Sequence, residues 1–333
     1  MASPKSIEIS IQYGIIAFMN NELTPRYWQA DEGLSRRQFM AGMAAAGAAL
    51  TLASPSAVLG QSVTKKRWSF IVFSKAFQEL SYDDTADLVA EVGWDGIECP
   101  VRKGGQVLPE RIEDDLPKMV AALKKRNCEL TMMTTDIRNA TDPLSVKALR
   151  TASKLGIRYY RLMSFRYRAS QPIPDQLREL KPELRDLAAL NKELGMCAGF
   201  QNHSGSEYIG APVWDIFEVI KDLDRQSMGV FFDIGHATVE GGLAWPIHAR
   251  LMEPLYRSIY VKDFTWQKAA RDWQVKWCPL GQGMIHPSFF QNLRKSAFTG
   301  PISQHFEYPI GTGKERVQTM KKDLETLKGW LAV

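Results

Sequence analysis

Side chains that can carry out acid–base chemistry stand at the ends of several short apolar runs in this sequence. They are Glu98, Thr134, Thr135, Asp136, Gln201, Asn202, His203, Asp233, His236, Lys262, Asp263, His305 and Glu307. Carboxylates and imidazoles transfer protons in general acid–base catalysis, and a lysine ammonium stabilises a developing oxyanion. If the ends of these runs meet in space, the sequence predicts one catalytic site built from distant positions.

The apolar runs have the character of buried parallel strands. Most are apolar on consecutive residues rather than on alternate ones, which is typical of strands covered on both faces. Eight candidates are found, at residues 69–74, 96–100, 129–134, 159–163, 197–202, 229–233, 258–263 and 302–307. Amphipathic helical patterns separate them, most clearly at residues 174–194, where leucines mark one face and Gly195 supplies the stop.

This alternation predicts an α/β fold, a (β/α)8 TIM barrel. The strands recur roughly every 30 to 45 residues, which is close to the repeat of such a barrel. We therefore expect a single barrel domain over residues 61–333. Catalytic residues of these barrels lie where the strands finish, so the polar strand ends fall at the expected place. The longest insertion, at residues 264–283, lacks helical periodicity and is interpreted as a lid or a rim loop.

Residues 1–60 are interpreted as an N-terminal extension that contains an export signal. Arg36 and Arg37 precede Phe39 and an Ala/Gly-rich stretch, and no charge appears between Arg37 and Lys65. This pattern is similar to a twin-arginine signal peptide, with an amphipathic helix as the alternative. The stretch is too short and too poor in large aliphatic residues for a stable membrane anchor. We expect the protein to use the twin-arginine export machinery and to be periplasmic or otherwise exported.

The overall composition excludes several function classes. The chain has 333 residues, 45% of them hydrophobic and 24% charged, so it is neither collagen-like nor wholly disordered. Its net charge of +5 is spread along the sequence without a basic stripe, so no nucleic-acid partner is predicted. Export would separate the protein from cytosolic sugar phosphates, which favours an unphosphorylated substrate. A homo-oligomer is left open by these features.

Six short motifs carry a family resemblance. They are Gly93-Trp-Asp-Gly-Ile-Glu98, Gln201-Asn-His-Ser-Gly205, Phe232-Asp-Ile-Gly-His236, Tyr260-Val-Lys-Asp263, Pro279-Leu-Gly-Gln-Gly283 and His305-Phe-Glu307. Their order resembles that of the xylose isomerase-like TIM-barrel superfamily, in particular the sugar phosphate isomerase/epimerase group, which includes ketose 3-epimerases and inosose dehydratases. The resemblance covers the chain from Trp68 to its C-terminus and implies a small-molecule carbohydrate as substrate.

The resemblance also implies one divalent metal ion, such as Mn²⁺, Mg²⁺, Co²⁺ or Zn²⁺. The family's four ligand positions correspond here to Gln201, Asp233, Tyr260 and Glu307. Asp233 and Glu307 match the family, whereas Gln201 replaces a glutamate and Tyr260 replaces a histidine. A neutral amide and a protonated phenol are weaker ligands than the residues they replace. The expected metal ligands are therefore Asp233, Glu307 and Gln201, and either His203 or His236 could complete the set.

The reaction that the resemblance implies begins with abstraction of a proton next to a carbonyl. Glu307 is the expected base, and Lys262 is expected to stabilise the enediolate. Gln201 cannot accept a proton, so a second base must come from elsewhere. The candidates for that second base are His203, His236, Glu98 and Lys262. One-base isomerisation or β-elimination next to a keto group fits these residues better than symmetric two-base epimerisation.

The expected function is that of a sugar isomerase/epimerase-like enzyme acting on an unphosphorylated sugar or keto-sugar derivative. The expected substrate-binding residues are Glu98, Asn202, Gln201, His305 and Tyr260. Two alternatives stay open, an exported keto-glycoside lyase or dehydratase and a non-catalytic sugar-binding barrel, the latter because two ligand positions are replaced. A metal-dependent apurinic endonuclease shares the barrel, but its three-ion cluster needs more histidines than the five present.

Overall fold

The structure, a computed structural model, describes residues 68–332 and contains a closed barrel of eight parallel strands. The barrel strands are β1 (Ser69–Phe73), β2 (Gly96–Val101), β3 (Glu129–Thr135), β4 (Tyr159–Arg161), β5 (Cys197–Gln201), β6 (Met228–Asp233), β7 (Tyr256–Val261) and β10 (Pro301–Gln304). Neighbours in sequence are neighbours in the barrel, and β10 closes it by pairing with both β7 and β1. The predicted TIM barrel is confirmed, and the predicted export segment lies outside the described residues.

Helices cover the outside of the barrel in the described part of the chain. They are α1 (Tyr82–Val92), α2 (Ile112–Lys124), α3 (Pro143–Lys154), α4 (Ile173–Leu194), α5 (Val213–Ile220), α6 (Ile234–Gly241), α7 (Trp245–Met252), α8 (Ser288–Lys295) and α9 (Gly313–Leu331). On α4 the predicted leucine face is buried at Leu180, Leu184 and Leu187. No helix within residues 68–332 is both long enough and apolar enough to cross a lipid bilayer.

Apolar side chains pack in two separate places. The larger cluster lies between the strands and the helices, as expected for a sheet covered on its outer face. The smaller cluster joins residues of four different strands, Ile71, Met132, Phe231 and Tyr260, all fully buried. The Tyr260 hydroxyl donates a hydrogen bond to the carboxylate of Glu98 at 2.7 Å. The apolar interior therefore passes directly into a polar cluster.

The insertion after β7 is a β-hairpin. Strands β8 (Asp263–Ala269) and β9 (Asp272–Cys278) pair antiparallel over their whole length. The carboxylate of Asp263 holds the base of this hairpin by accepting hydrogen bonds from four backbone N–H groups, those of Phe264, Gly281, Gly283 and Ile285. A Cβ at Gly283 would lie 2.3 Å from Asp263 Oδ1, so only glycine permits this approach. The Gly281-Gln-Gly283 turn thus binds a protein carboxylate.

Asp323 on α9 makes the stability of the barrel depend on pH. Its side chain is buried and accepts a hydrogen bond from the Tyr308 hydroxyl at 2.6 Å, and burial raises its pKa to about 6. An unfolded aspartate titrates near pH 4. The folded protein therefore holds this proton more tightly, and the stabilisation is lost as the pH rises from about 4 to about 6.

We expect Asp323→Asn to remove this part of the pH dependence, because the amide stays neutral and can still accept from Tyr308. The predicted difference in the free energy of unfolding is on the order of 2 kcal/mol between pH 4 and pH 7. Urea unfolding across that range measures it, with the exposed Asp114→Asn as the matched control. Equal pH slopes for Asp323→Asn and the parent would contradict the assignment.

Candidate active site

A buried carboxylate, Glu98, ties together four strands near the carboxyl end of the barrel. One oxygen accepts hydrogen bonds from the hydroxyls of Thr134 and Tyr260. The other accepts from the Ser303 hydroxyl at 2.7 Å and lies 3.0 Å from Nε2 of His305. A carboxylate offers about four acceptor positions. Glu98 therefore has all of its acceptor positions occupied by the protein.

The charge state of Glu98 follows from its partners. Burial alone would raise the pKa of Glu98, but the imidazole of His305 and the guanidinium of Arg161 lower that pKa to about 2. Glu98 is consequently ionised at neutral pH. Because its acceptor positions are occupied by the protein, it is poorly suited to take a proton from a substrate. Tyr260 and His305 are buried beside it, with ring centroids 4.2 Å apart. Substrate contact by these three residues stays a prediction.

Asp233 is the centre of a second buried polar cluster. It ends β6 and caps α6, where its Oδ1 accepts the backbone N–H of His236 at 3.0 Å. Its Oδ2 accepts a hydrogen bond from Nε2 of Gln201 at 2.8 Å and lies 3.0 Å from Nζ of Lys262. The amide of Asn202 binds both the N–H and the C=O of Asp233. Strands β5, β6 and β7 therefore fix this carboxylate from three sides.

Lys262 connects Asp233 to a neutral imidazole. Its Nζ lies 2.7 Å from Nε2 of His236. An ammonium group can only donate, so Nε2 accepts, and the ring proton is on Nδ1, which lies 2.7 Å from the hydroxyl oxygen of Ser204. Burial and the charge of Lys262 lower the pKa of His236 well below its usual value. A Cβ at Gly235 would lie 2.8 Å from Lys262 Cγ, so the glycine leaves room for the lysine.

The same ammonium sets the charge of Asp233. Burial alone would raise the pKa of Asp233, but the charge of Lys262, the nearby imidazoles and the backbone N–H of His236 together outweigh burial and lower it. Both side chains are almost completely buried. The cluster therefore contains a charged carboxylate, a lysine and a neutral imidazole in continuous contact.

His203 is the imidazole that keeps a nitrogen available. Its Nδ1 lies 2.9 Å from the main-chain oxygen of Ser204 and must donate to it. Its Nε2 makes no hydrogen bond to any residue between 68 and 332. The ring lies 4.0 Å from that of His236, and burial lowers the pKa of His203. At neutral pH, Nε2 therefore carries a lone pair that can accept a proton.

Glu307 lies at the same end of the barrel and is partly open to solvent. Its Oε2 lies 3.2 Å from Nζ of Lys75. Burial alone would raise the pKa of Glu307, but the charges of Lys262 and then Lys75 lower it. Glu307 is thus ionised and within the electrostatic influence of Lys262. Both residues follow the ends of parallel strands, as the sequence predicted.

Arg161 is a buried residue of this site that the sequence analysis missed. It ends β4 and donates from Nη1 to Oε1 of Gln201. Within residues 68–332 no carboxylate lies within 4.0 Å of the guanidinium, and its buried Nε has no hydrogen-bond partner. The Nε atom is fully enclosed. A charged residue inside an otherwise apolar strand was the signal that could have identified it.

The hairpin brings an aromatic ring to the cluster. Trp277 on β9 lies with its ring centroid 4.7 Å from Lys262 Nζ and 5.4 Å from the ring of His236. Trp94, in contrast, is buried in the core and donates to the side chain of Gln304. Trp277, unlike Trp94, is therefore in contact with the polar cluster.

The predicted metal positions do not form a ligand set suited to a divalent ion. The amide nitrogen of Gln201, a donor, faces Asp233, and the ammonium of Lys262 lies against the same carboxylate oxygen. The Tyr260 hydroxyl is directed to a buried carboxylate. Across residues 68–332, no group of three or more His, Cys, Asp or Glu side chains is arranged to hold a metal. The geometry thus gives no support to metal binding by Gln201, Asp233 and Glu307.

Comparison with known proteins agrees with this fold. A family model described as xylose isomerase-like TIM barrel matches residues 86–330. No curated protein matches the sequence at a significant level.

Solved structures give the same result at low sequence identity. A 3-keto-D-glucoside 4-epimerase from E. coli is 13% identical, with 79% of this chain and 100% of that chain covered and a TM-score of 0.59. A D-psicose 3-epimerase from Clostridium cellulolyticum H10 is 12% identical, with 80% and 100% covered and a TM-score of 0.59. A xylose isomerase domain protein from Planctomyces limnophilus is 19% identical, with 79% and 97% covered and a TM-score of 0.58. At these identities the likeness concerns the fold.

The role of Glu98 leads to a stability prediction. Glu98→Ala should lower the free energy of unfolding by about 3 to 5 kcal/mol, because it leaves buried donors from three strands without an acceptor. Glu98→Gln keeps the volume and one acceptor oxygen, so its loss should be smaller. Denaturant unfolding measures both, with Glu129→Ala at an exposed position of β3 as the control. A loss for Glu98→Ala no larger than that of the control would rule out this role.

Proposed function

The chain belongs to the xylose isomerase-like TIM barrel family, and from that membership we propose that it is a sugar isomerase/epimerase-like enzyme. It removes a proton next to the carbonyl of an unphosphorylated sugar or keto-sugar derivative. The observation that carries this proposal is the buried ammonium of Lys262, held between the carboxylate of Asp233 and the neutral imidazole of His236. A fixed positive charge of this kind stabilises the negative charge that develops on an enolate oxygen.

Glu307 is the proposed base. The charges of Lys262 and Lys75 lower its pKa, so it is ionised at neutral pH and can take a proton from the substrate carbon. Lys262 has three N–H donors, and two of them are directed to Asp233 and His236. The third can donate to the substrate oxygen on which negative charge develops. Because Lys262 is already fixed, little reorganisation is needed when that charge forms.

His203 is the proposed second proton-transfer group. Both nitrogens of His236 and both oxygens of Glu98 are engaged, whereas Nε2 of His203 has no hydrogen-bond partner among residues 68–332. A neutral imidazole at this place can pass a proton between neighbouring substrate atoms. Glu307 and His203 are chemically different groups, and this asymmetry favours isomerisation or β-elimination over symmetric two-base epimerisation.

Two observations support an unphosphorylated carbohydrate as substrate. The structural relatives include proteins named for D-psicose and for a 3-keto-D-glucoside. In this chain, Trp277 presents an aromatic surface beside Lys262, and such surfaces bury the apolar faces of ligands. The amides of Gln201 and Asn202 are occupied by Asp233, so their expected contacts with substrate stay predictions. No step of this mechanism runs through the expected divalent ion, because the donor set does not fit it.

Solvent deuterium exchange tests the proposed base. Purified protein incubated in D₂O with free ketoses and 3-keto-glycosides should exchange the proton next to the carbonyl, as followed by NMR. Glu307→Gln should slow that exchange by about 10²-fold or more, while the thermal unfolding midpoint stays that of a folded barrel. The exposed Glu110→Gln is the matched control and should exchange at the parental rate.

The outcomes of that experiment separate the competing functions. Unchanged exchange in Glu307→Gln rejects Glu307 as the base. Exchange accompanied by loss of a leaving group identifies a keto-glycoside lyase or dehydratase. Sugar binding without exchange across the panel identifies a non-catalytic sugar-binding barrel, the alternative that the replacements at Gln201 and Tyr260 motivated.

We also propose that the protein is exported by the twin-arginine route. This proposal rests on the sequence alone, on Arg36, Arg37 and the Ala/Gly-rich stretch that follows them. Replacing both arginines by lysine (Arg36→Lys with Arg37→Lys) should retain the protein in the cytoplasm, since the paired arginine is the recognised feature. Cell fractionation with immunoblotting measures this, and Arg26→Lys is the control. Export of the double variant at the parental level would refute the proposal.

A further inference from the structure

We infer that Lys262, assisted by Arg161, takes the place of the family's divalent ion, so that the enzyme stabilises its enolate with a cation that belongs to the chain. This inference rests on the proposed function and adds which group stabilises the enolate oxygen. Gln201 and Asp233, both predicted to bind a metal ion, instead contact one another, and Asp233 also contacts Lys262.

The Gln201 amide is oriented by its two neighbours, Arg161 and Asp233. Its oxygen accepts from Arg161, which has only donors, so its nitrogen must face Asp233 Oδ2, at 2.8 Å. A glutamate at this position would set two carboxylate oxygens against each other, and such a contact needs a cation or a proton between them. The amide N–H supplies the hydrogen bond instead. This contact is therefore complete without a metal ion.

Lys262 lies where a metal ion bound by Asp233 would have to be. Its ammonium lies 3.0 Å from Asp233 Oδ2, the carboxylate oxygen that also accepts from Gln201. Its other contact is with His236 Nε2, one of the two imidazoles that could have completed a metal site. A divalent ion bound by Asp233 and His236 would lie beside the Lys262 ammonium, which is within hydrogen-bond distance of both residues. Mutual repulsion makes that arrangement unfavourable.

Arg161 provides the second positive charge. It is buried on the opposite side of Gln201 from Asp233 and forms no ion pair with any residue in the described part of the chain. A buried cation with no carboxylate in direct contact is costly, and the attraction between its charge and that of Glu98 compensates for part of this cost. Lys262 and Arg161 together carry two positive charges, as one divalent ion would. Two fixed single charges can thus perform the electrostatic task of that ion.

Metal binding is tested first without any substrate. The full-length purified protein, treated with EDTA and then titrated with Mn²⁺, should show only the EPR spectrum of free Mn²⁺. The double variant Gln201→Glu with Lys262→Ala removes the resident cation, restores a carboxylate and frees His236 Nε2 beside Asp233. It should bind Mn²⁺ at least about tenfold more tightly than the parent, because the site gains an anionic ligand.

Exchange into substrate then tests the role of Lys262. EDTA treatment should leave the parental exchange rate unchanged. Lys262→Met should lower the rate by about 10²-fold or more, and added Mn²⁺ should not restore it. Lys268→Met, an exposed residue of β8, is the matched control.

One Mn²⁺ bound per parental chain and lost in Asp233→Asn would overturn the inference, even if the double variant failed to fold. That result would leave the proposed function standing, since it concerns only the cation. Absence of exchange in every substrate, with no Mn²⁺ binding by the parent, would instead reject the proposed function and with it the enolate role of Lys262, and would keep only the conclusion that these residues do not bind a metal ion. A parental exchange rate abolished by EDTA and recovered with Mn²⁺ would also overturn the inference.

Discussion

The contact between Lys262 Nζ and Asp233 Oδ2, at 3.0 Å, is the interaction on which the candidate site depends. Both groups are buried, and an unpaired charge in that position would cost several kcal/mol. The pair fixes the end of β6 against the end of β7 and sets the acceptor nitrogen of His236. The tautomer of that imidazole and its contact with Ser204 follow from it. One ion pair thus determines the protonation pattern of the whole cluster.

Two buried carboxylates in the same barrel acquire different roles from their neighbours. Glu98 receives three hydroxyl donors and an imidazole, so its charge is consumed in joining strands. Asp233 receives an amide, a backbone N–H and an ammonium, so its charge holds a cation in place. Both stay ionised because their partners outweigh the effect of burial on the pKa. Carboxylate burial alone therefore does not identify the catalytic group; the nature of the donors does.

The sequence predicted the barrel because strand burial and helix periodicity are local patterns that can be recognised in short stretches of one sequence. It did not predict the hairpin formed by β8 and β9, because the segment was interpreted from its lack of helical periodicity, and the alternation of Trp273, Val275 and Trp277 with polar residues in β9 was overlooked. Arg161 was overlooked because an arginine inside a strand carries no motif. The direction of the Gln201 amide depends on three separate strands, and no local pattern encodes it. The side-chain contacts between different strands are thus the feature of the site that only the three-dimensional structure reveals.

Gln201 and Tyr260, which replace a glutamate and a histidine at the predicted metal positions, each have a defined partner within the protein. Gln201 alone would weaken a metal site, and Tyr260 alone would remove an imidazole ligand. Beside Lys262, the Gln201 amide supplies the proton that two facing carboxylates would lack. Tyr260 directs its hydroxyl to Glu98, so it strengthens the barrel rather than the site. A glutamate at position 201 would face the carboxylate of Asp233, and a metal ion bound between them would lie beside Lys262, so a metal site requires the cation and its ligands to change as a set.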